Sequence, residues 1–246
     1  DEVKTGAGGN FRVFTPYSRA WAKLDKPSAG PALKKLSTPE GVASGDLPTP
    51  AHWGLAEFSG GLEPGEKAAR ERLRKFLQGP VFDYGATRDL VGEDGTSRLS
   101  QDLRHGLLSI REVYHKAKAA AEGADADGRN NVWKFISELI WREFYFQILW
   151  HYPEVLEQEF NAKYRGMEWD QDEKKYRAWC EGQTGFPMVD AAMRQLNATG
   201  YMHNRARMIT AMFLTKDLHL DWRLGEAFFM RSLVDGEIAS NNGGWQ

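Results

Sequence analysis

Apolar residues recur at helical spacing along most of the chain beyond its first quarter. One stripe lies around Pro64 and stops at Gly79-Pro80, and its members are Leu62, Ala69, Leu73, Phe76 and Leu77. A loop is predicted through DYGATRDLVGEDG and a helix from about Ser100 to Ala121, and AEGADADGRNN has the composition of an exposed linker. Further helices are predicted over 132–152, 187–199, 203–217 and 222–234.

The first quarter of the chain has a different pattern. Between Pro27 and Pro50 there is neither a helical nor a strand period, which is typical of a long surface connector. No run alternates with period two for long enough to predict a sheet. The sequence therefore predicts an all-α fold, with a connector and lead-in over 1–60 and one helical domain over 61–246.

Composition narrows the class of protein. The 246 residues are 41% hydrophobic and 27% charged, with a formal net charge of -2, which is typical of an intracellular globular domain. The single cysteine, Cys180, excludes a disulfide framework, and the six histidines show no HExxH or CxxC spacing, so no metal site is predicted. Charged residues interrupt the most apolar stretch, from Val132 to Tyr152, which therefore predicts a core helix and not a membrane span. A nucleic-acid partner would need a local basic patch.

Two short motifs carry candidate chemistry on loops. The run GTSRLS, from Gly95 to Ser100, combines hydroxyls and glycine with a helix start, as a phosphate cradle requires, although hydroxyls there are more often helix caps. The run DGE at 235–237, followed by SNNGG, places carboxylates and amides on a predicted loop. The residues alone leave both alternatives open for GTSRLS.

Two helices carry the other candidates. In ELIWREFY, Glu138, Trp141 and Tyr145 share one face, and Glu138 either has a function there or forms an i,i+4 ion pair with Arg142. In HNRARM, Asn204 and Met208 share a face. The arginines beside them, Arg205 and Arg207, either meet phosphates or solvate the helix surface.

Taken in order, five sequence blocks resemble the helical flavin-binding domain of DNA photolyases and cryptochromes. The blocks are DYGATRDL, GTSRLS, ELIWREFY, the run from WCEGQTGFPMVD to DWRLGE, and VDGEIASNNGGWQ. The resemblance covers the chain from Phe11 onward and is closest to the class I cyclobutane pyrimidine dimer photolyases. In that family an antenna-chromophore domain precedes this region and further helices follow GGWQ. The chain is therefore expected to be a fragment whose flavin-binding domain lacks its C-terminal part.

The resemblance implies a role for each motif residue. Those implied to bind FAD are Tyr84, Thr96, Ser97, Arg98, Leu99, Ser100, Phe135, Arg142, Asp235, Gly236, Glu237 and Asn241. Residues 96–100 would hold the pyrophosphate, and Asn241 would sit opposite flavin N5. Those implied to line the lesion pocket or contact DNA are Arg88, Glu138, Trp141, Tyr145, Asn204, Arg205, Arg207 and Met208.

Catalysis would involve Glu138, Asn241 and three of the nine tryptophans. Trp245, Trp222 and Trp169 fall where the family carries a photoreduction chain, whereas in residue terms alone they are as well explained as core or rim aromatics. Trp245 lies one residue from the end of the chain, so its side chain is expected to be mobile.

The resemblance implies light-driven repair of pyrimidine dimers in UV-damaged DNA by electron transfer from reduced FAD. The antenna chromophore would belong to the preceding domain, and a cytoplasmic monomer without membrane association is expected. Two alternatives stay open: a cryptochrome-type photoreceptor and an inactive, flavin-free fragment. Glu138, Trp141 and Met208, with Asn241 at the N5 position, favour the repairing branch.

Overall fold

The structure is a computed structural model that describes residues 2–30, 35, 37–55 and 61–246. It confirms the all-α prediction, since the described residues form helices and a single isolated bridge, between Asp170 and Leu220. The α-helices are α1 Phe14–Trp21, α2 Glu66–Gln78, α3 Tyr84–Thr87, α4 Ser100–Arg104, α5 Ile110–Glu122, α6 Ala126–His151, α7 Glu173–Glu181, α8 Pro187–Thr199, α9 Asn204–Met212, α10 Trp222–Ser232 and α11 Ile238–Trp245. Short 3-10 helices lie at Pro50–Trp53, Pro80–Asp83, Pro153–Leu156 and Ala162–Tyr164, and a π-helical segment, Phe213–Asp217, continues α9.

Helix α6 is the centre of the first of two apolar cores. Its buried residues include Ile136, Leu139 and Ile140, and α1, α5 and α11 pack around it. The second core is built from α7 to α10 around the fully buried Trp179. Helix α11 contacts both α6 and α10, so it joins the two cores. The helices that carry the candidate site residues are therefore held against a shared interior.

Several predicted helix boundaries are right because local signals set them. Helix α8 runs from Pro187 to Thr199 as predicted, with proline in its first turn and Gly200 in the left-handed region at φ 66°. Helix α2 ends at Gln78, before Gly79. The domain boundary near residue 60 stays a prediction, and residues 1, 31–34, 36 and 56–60 of the predicted connector lie outside the described residues.

Other predictions were wrong. The proposed helix from Ser100 to Ala121 is two helices, because Gly106 adopts φ 70° between α4 and α5. The predicted linker AEGADADGRNN belongs largely to α6, whose first turn is capped by the Asp125 carboxylate, which accepts a hydrogen bond from the Gly128 amide. The loop predicted through DYGATRDL contains α3.

Three further helices were missed, namely α1, α7 and α11. Helix α7 is capped by Asp172, and α11 is capped by Glu237, whose carboxylate accepts from the amides of Ala239 and Ser240. The SNNGG segment is therefore helical and not a loop. Trp245, expected to be mobile, is half-buried against Phe229, with ring centroids 5.2 Å apart.

Candidate functional site

The GTSRLS loop lies between α3 and α4 and holds buried polar atoms without partners. Arg98 has φ 49°, a left-handed conformation that is strained for a residue with a β-carbon. Its guanidinium lies 4.1 Å from the centroid of the Tyr201 ring, and its Nε atom is buried without a hydrogen bond. Gln101 donates from Nε2 to the Arg98 carbonyl at 2.7 Å, while its Oε1 is also buried and unpaired. The loop is thus preorganised with unsatisfied polar atoms.

A short side-chain contact ties this loop to α3. The Thr87 hydroxyl lies 3.4 Å from the Gly95 carbonyl, and a β-carbon at Gly95 would come within 2.5 Å of Thr87. Tyr84, at the other end of α3, is buried edge-on against Phe76 and Phe135. Burial raises the pKa of the Tyr84 hydroxyl. Phe135, predicted to border the flavin, lies inside the core in this structure.

The half-buried Glu138 on α6 pairs with Arg88, which directly follows α3. Arg88 Nη1 lies 2.7 Å from Glu138 Oε1. Burial raises the pKa of the Glu138 carboxyl, and Arg88 counters part of this effect by favouring the carboxylate. The alternative pairing with Arg142 is not formed, because the Arg142 guanidinium lies over the Phe146 ring, 4.7 Å from its centroid. Burial lowers the pKa of Arg142.

A second ion pair connects this group to α9. Arg205 Nη2 lies 2.6 Å from Asp89 Oδ1, and its Nη1 donates to the Met208 sulfur at 3.3 Å. Asp89 lies 3.8 Å from Arg88 as well, so charges of alternating sign run from Glu138 through Arg88 and Asp89 to Arg205. We call these four residues the charged network. It brings together Glu138, Arg88 and Arg205, three of the residues implied to line the lesion pocket or contact DNA, and a fourth residue, Asp89, that was not among them.

Trp141 has one face of its ring already covered. Phe14 of α1 stacks on it with centroids 3.6 Å apart and planes 5° from parallel, and Tyr145 lies 5.5 Å away at a tilt. Helix α1 was not predicted, so this contact could not be. A base that stacks on Trp141 would have to use the face opposite Phe14.

Asp235, between α10 and α11, forms a buried ion pair with Arg207 of α9. Arg207 Nη2 lies 2.8 Å from Asp235 Oδ2, and its Nε donates to the Met202 carbonyl. The other carboxylate oxygen, Oδ1, is buried without a partner. Arg207 therefore supports Asp235 in this structure, and its predicted contact with the DNA backbone stays a prediction.

The residues around Asp235 are fixed by further hydrogen bonds. Arg104 of α4 donates to the Gly236 carbonyl at 2.6 Å, which connects the GTSRLS loop side of the molecule to the Asp235 turn. Asn241 donates from Nδ2 to the Glu226 carbonyl and to its carboxylate, at 3.0 and 2.9 Å. Burial raises the pKa of the Glu226 carboxyl.

Comparison with known proteins identifies this arrangement. Residues 135–246 match the family model described as FAD binding domain of DNA photolyase. Residues 135–246 belong to the family of FAD-binding domains of DNA photolyases. Deoxyribodipyrimidine photo-lyases of Salmonella typhimurium and Escherichia coli are 45% and 43% identical to it, each over 99% of this chain and 52% of the relative. The chain spans about half the length of the curated relatives it matches.

Solved structures of a photolyase and a cryptochrome are also similar to this chain. A bacterial class III photolyase from Agrobacterium tumefaciens is 38% identical with a TM-score of 0.90, and a cryptochrome from Synechocystis is 32% identical with a TM-score of 0.80. The chain covers 99% and 95% of its own length in these matches, and 52% and 50% of the two neighbours. The assignment to class I within the family stays a prediction.

Whether the residues of this photolyase-family domain could bind FAD can be judged from the buried polar atoms that have no partner. Arg98 Nε, Gln101 Oε1 and Asp235 Oδ1 are polar and enclosed, and Tyr201 lies between Arg98 and Arg207, at 4.1 and 6.0 Å from their guanidinium carbons. Buried polar groups are rarely left without partners unless a ligand or water supplies them. Hydroxyls of Thr96, Ser97 and Ser100 stand on the same loop. This donor and acceptor set fits a pyrophosphate and a ribose.

The three predicted relay tryptophans have separate surroundings. Within the described part of the chain, the Trp245 ring contacts Phe229 and the fully buried Trp179, the latter at 6.4 Å, and Trp169 contacts His219 at 5.5 Å. Trp222 donates from Nε1 to Glu159. Sequence reasoning did not single out Trp179, because the helix that carries it, α7, was not predicted.

Proposed function

We propose that this protein is a deoxyribodipyrimidine photolyase, which uses light and bound reduced FAD to split cyclobutane pyrimidine dimers in DNA. The observation that carries the proposal is the position of α3 between two groups of residues. Thr87 and Gly95 tie α3 to the GTSRLS loop, and Arg88, which follows α3, ties it to Glu138. A cofactor held by the loop would thus lie close to a substrate held at Glu138, as electron transfer between them requires.

FAD would be held by the residues with unsatisfied polar atoms. Arg98 and the hydroxyls of 96–100 would oppose the pyrophosphate charge, and Gln101 Oε1 and Asp235 Oδ1 would accept hydrogen bonds from ribose or flavin donors of the cofactor. Asn241 would face the flavin ring, oriented by Glu226. When bound and reduced, FAD supplies a light-driven electron for the dimer.

Glu138 and Trp141 would orient the dimer. The Glu138 carboxylate can accept hydrogen bonds from pyrimidine NH groups, and its partly buried position strengthens such bonds. Photolyases belong to the enzymes that turn their target base out of the duplex before acting on it. The face of Trp141 opposite Phe14 is the apolar surface on which such a base would stack.

DNA binding would rely on a local basic patch, because the net charge of the chain is -2. Arg88 and Arg205 are partly exposed at the charged network and would meet phosphates near the lesion. We propose that the protein acts as a monomer in the cytoplasm, where its DNA substrate is accessible.

A cryptochrome-type photoreceptor is the second candidate, favoured by the similarity to the Synechocystis protein. The presence of Glu138, Trp141 and Met208 together favours repair over signalling, since a photoreceptor has no need for a group that recognises a dimer. A flavin-free chain is the third candidate. The buried unpaired atoms of Arg98 and Gln101, at the GTSRLS loop, argue against it.

Binding to damaged DNA separates the candidates. The protein, purified at its full natural length and loaded with FAD, is mixed in the dark with an oligonucleotide duplex that contains one thymine dimer, and with the same duplex undamaged. A photolyase binds the damaged duplex far more tightly. Equal affinity with FAD retained would support the photoreceptor, and failure to retain FAD would support the flavin-free chain.

A further inference from the structure

The charged network contains an interaction that the sequence motifs do not predict. Arg88 and Glu138 are 50 residues apart and belong to different elements, yet their charged groups meet at 2.7 Å. Both side chains are about a third exposed. A substrate that needs the Glu138 carboxylate therefore finds it already engaged by Arg88.

The position of Arg88 is fixed by other contacts. Its amide donates to the Tyr84 carbonyl at 3.0 Å, and its guanidinium lies 5.6 Å from the centroid of the Tyr84 ring. Asn131 of α6 holds α3 and the 3-10 turn before it, because it accepts from the Gly85 amide in α3 and donates to the Phe82 carbonyl in the turn. Arg88 is thus presented to Glu138 by a turn anchored to the same helix that carries Glu138.

We propose that Arg88 is a positioning residue that keeps Glu138 ionised and fixed in one orientation before the substrate arrives. A carboxyl group in the place of Glu138 without this partner would take up a proton more readily, because burial disfavours its charge. It would then present a hydroxyl donor where the proposed function needs an acceptor. The meaning for repair rests on the proposed function, whereas the ionisation itself can be measured without FAD, DNA or light.

Other charges facing Glu138 do not replace Arg88. The groups that act on it from the neighbouring elements are Asp89 after α3, Arg205 on α9, and the hydroxyls of Tyr84 and Tyr145. Asp89 opposes the charge of Glu138, and Arg205 is directly paired with Asp89. Arg88 is the cation in contact with the carboxylate.

The test is a titration of Glu138 in the full chain carrying 13C at the glutamate carboxyl carbons, with the Glu138 signal assigned by its loss in Glu138→Gln. In Arg88→Gln the titration midpoint should rise by about one pH unit or more, because the adjacent cation is lost. Arg88→Lys should stay closer to the wild type. Arg104→Gln, a matched loss of an arginine that contacts Gly236 instead, should leave the midpoint unchanged. An unchanged midpoint in folded Arg88→Gln would overturn the proposal.

A salt titration of the wild type keeps the proposal testable if Arg88→Gln does not fold. Raising ionic strength from about 0.1 M to about 1 M screens partly exposed ion pairs, so the Glu138 midpoint should rise. Glu226 is an internal control, because burial and its bond with the neutral Asn241 set its pKa. Equal behaviour of the two carboxyls would overturn the proposal. Failure of either test leaves the FAD and repair assignments untouched, since neither test involves them.

Discussion

The backbone of Gly243 lies directly against the ring of Tyr145, so that a β-carbon at Gly243 would come within 2.1 Å of the Tyr145 Cδ1 atom. This is where α11 docks on α6. The contact explains why a glycine is needed in the middle of a helix, where it is otherwise unfavourable. It also holds Asn241 and Trp245, on the same helix, in place.

Replacing Gly243 by alanine should therefore lower the free energy of unfolding. We expect a loss of about 1 to 3 kcal/mol from overpacking, which exceeds the gain in helix propensity. Gly244→Ala is the matched control, since a β-carbon there meets nothing within 4 Å. Urea denaturation followed by circular dichroism measures both. Equal stability of the two variants would contradict the close packing of α11 on α6.

A comparison of two arginines on α9 tests the buried ion pair. Arg207→Gln should cost about 3 kcal/mol of unfolding free energy, because it leaves the buried Asp235 carboxylate without its partner. Arg205→Gln removes a more exposed pair with Asp89 and should cost about 1 kcal/mol or less. Denaturation midpoints of both variants check this. If Arg205→Gln were the more costly change, the assignment of Arg207 as the support of Asp235 would be wrong.

The hydroxyls of the GTSRLS loop should contribute to FAD affinity. Replacing Ser97 and Ser100 together by alanine removes about 1 to 3 kcal/mol of hydrogen bonding to the pyrophosphate, so FAD should bind ten- to hundredfold more weakly. Ser109→Ala is a suitable control, because this hydroxyl makes no capping bond at the start of α5. Equilibrium dialysis against FAD measures all three proteins. Retention of FAD equal to that of the wild type would remove these two serines from the site.

Substitution of Trp245 tests the electron relay. Phenylalanine retains most of the packing against Phe229 and Trp179 but is much harder to oxidise, so photoreduction of oxidised FAD should collapse in Trp245→Phe. Trp150→Phe, at an exposed ring, should photoreduce normally. The readout is bleaching of flavin absorbance under blue light. Normal bleaching in Trp245→Phe would refute the relay.

The second member of the relay can be tested in the same way. The predicted member is Trp222, whereas the ring in contact with Trp245 is Trp179. Loss of photoreduction in Trp222→Phe supports the predicted order. Loss in Trp179→Phe alone would mean that charge leaves Trp245 through α7.

The predictable parts of the fold were those with local signals. Helix α8 could be bounded from Pro187 and Gly200 because these residues act on the adjacent backbone alone. Helix α11 could not be predicted, because its asparagines and glycines have poor helix propensity. Its stability depends on the cap at Glu237 and on packing against Tyr145 of a helix distant in sequence. The start of α6 was not predicted either, since ADADGRN contains no apolar residue larger than alanine.

In the candidate site, too, contacts between residues close in sequence were predictable and contacts between distant residues were not. The i, i+3 spacing of Glu138 and Trp141 predicted that both side chains lie on one face of a helix, and both residues belong to α6. It could not predict that Arg88 would pair with Glu138, because 50 residues of chain separate them. Nor could it predict that Phe14 would cover Trp141, because this contact requires the unpredicted α1.

Light-dependent repair is the most direct measurement of the proposed function. The protein at its full natural length, loaded with chemically reduced FAD, is mixed with a thymine-dimer oligonucleotide and illuminated with blue light, beside an identical sample kept in the dark. Recovery of thymine is followed by ultraviolet absorbance. A photolyase restores thymine in the light and not in the dark. Retained, reduced FAD with no recovery of thymine under illumination would contradict the account.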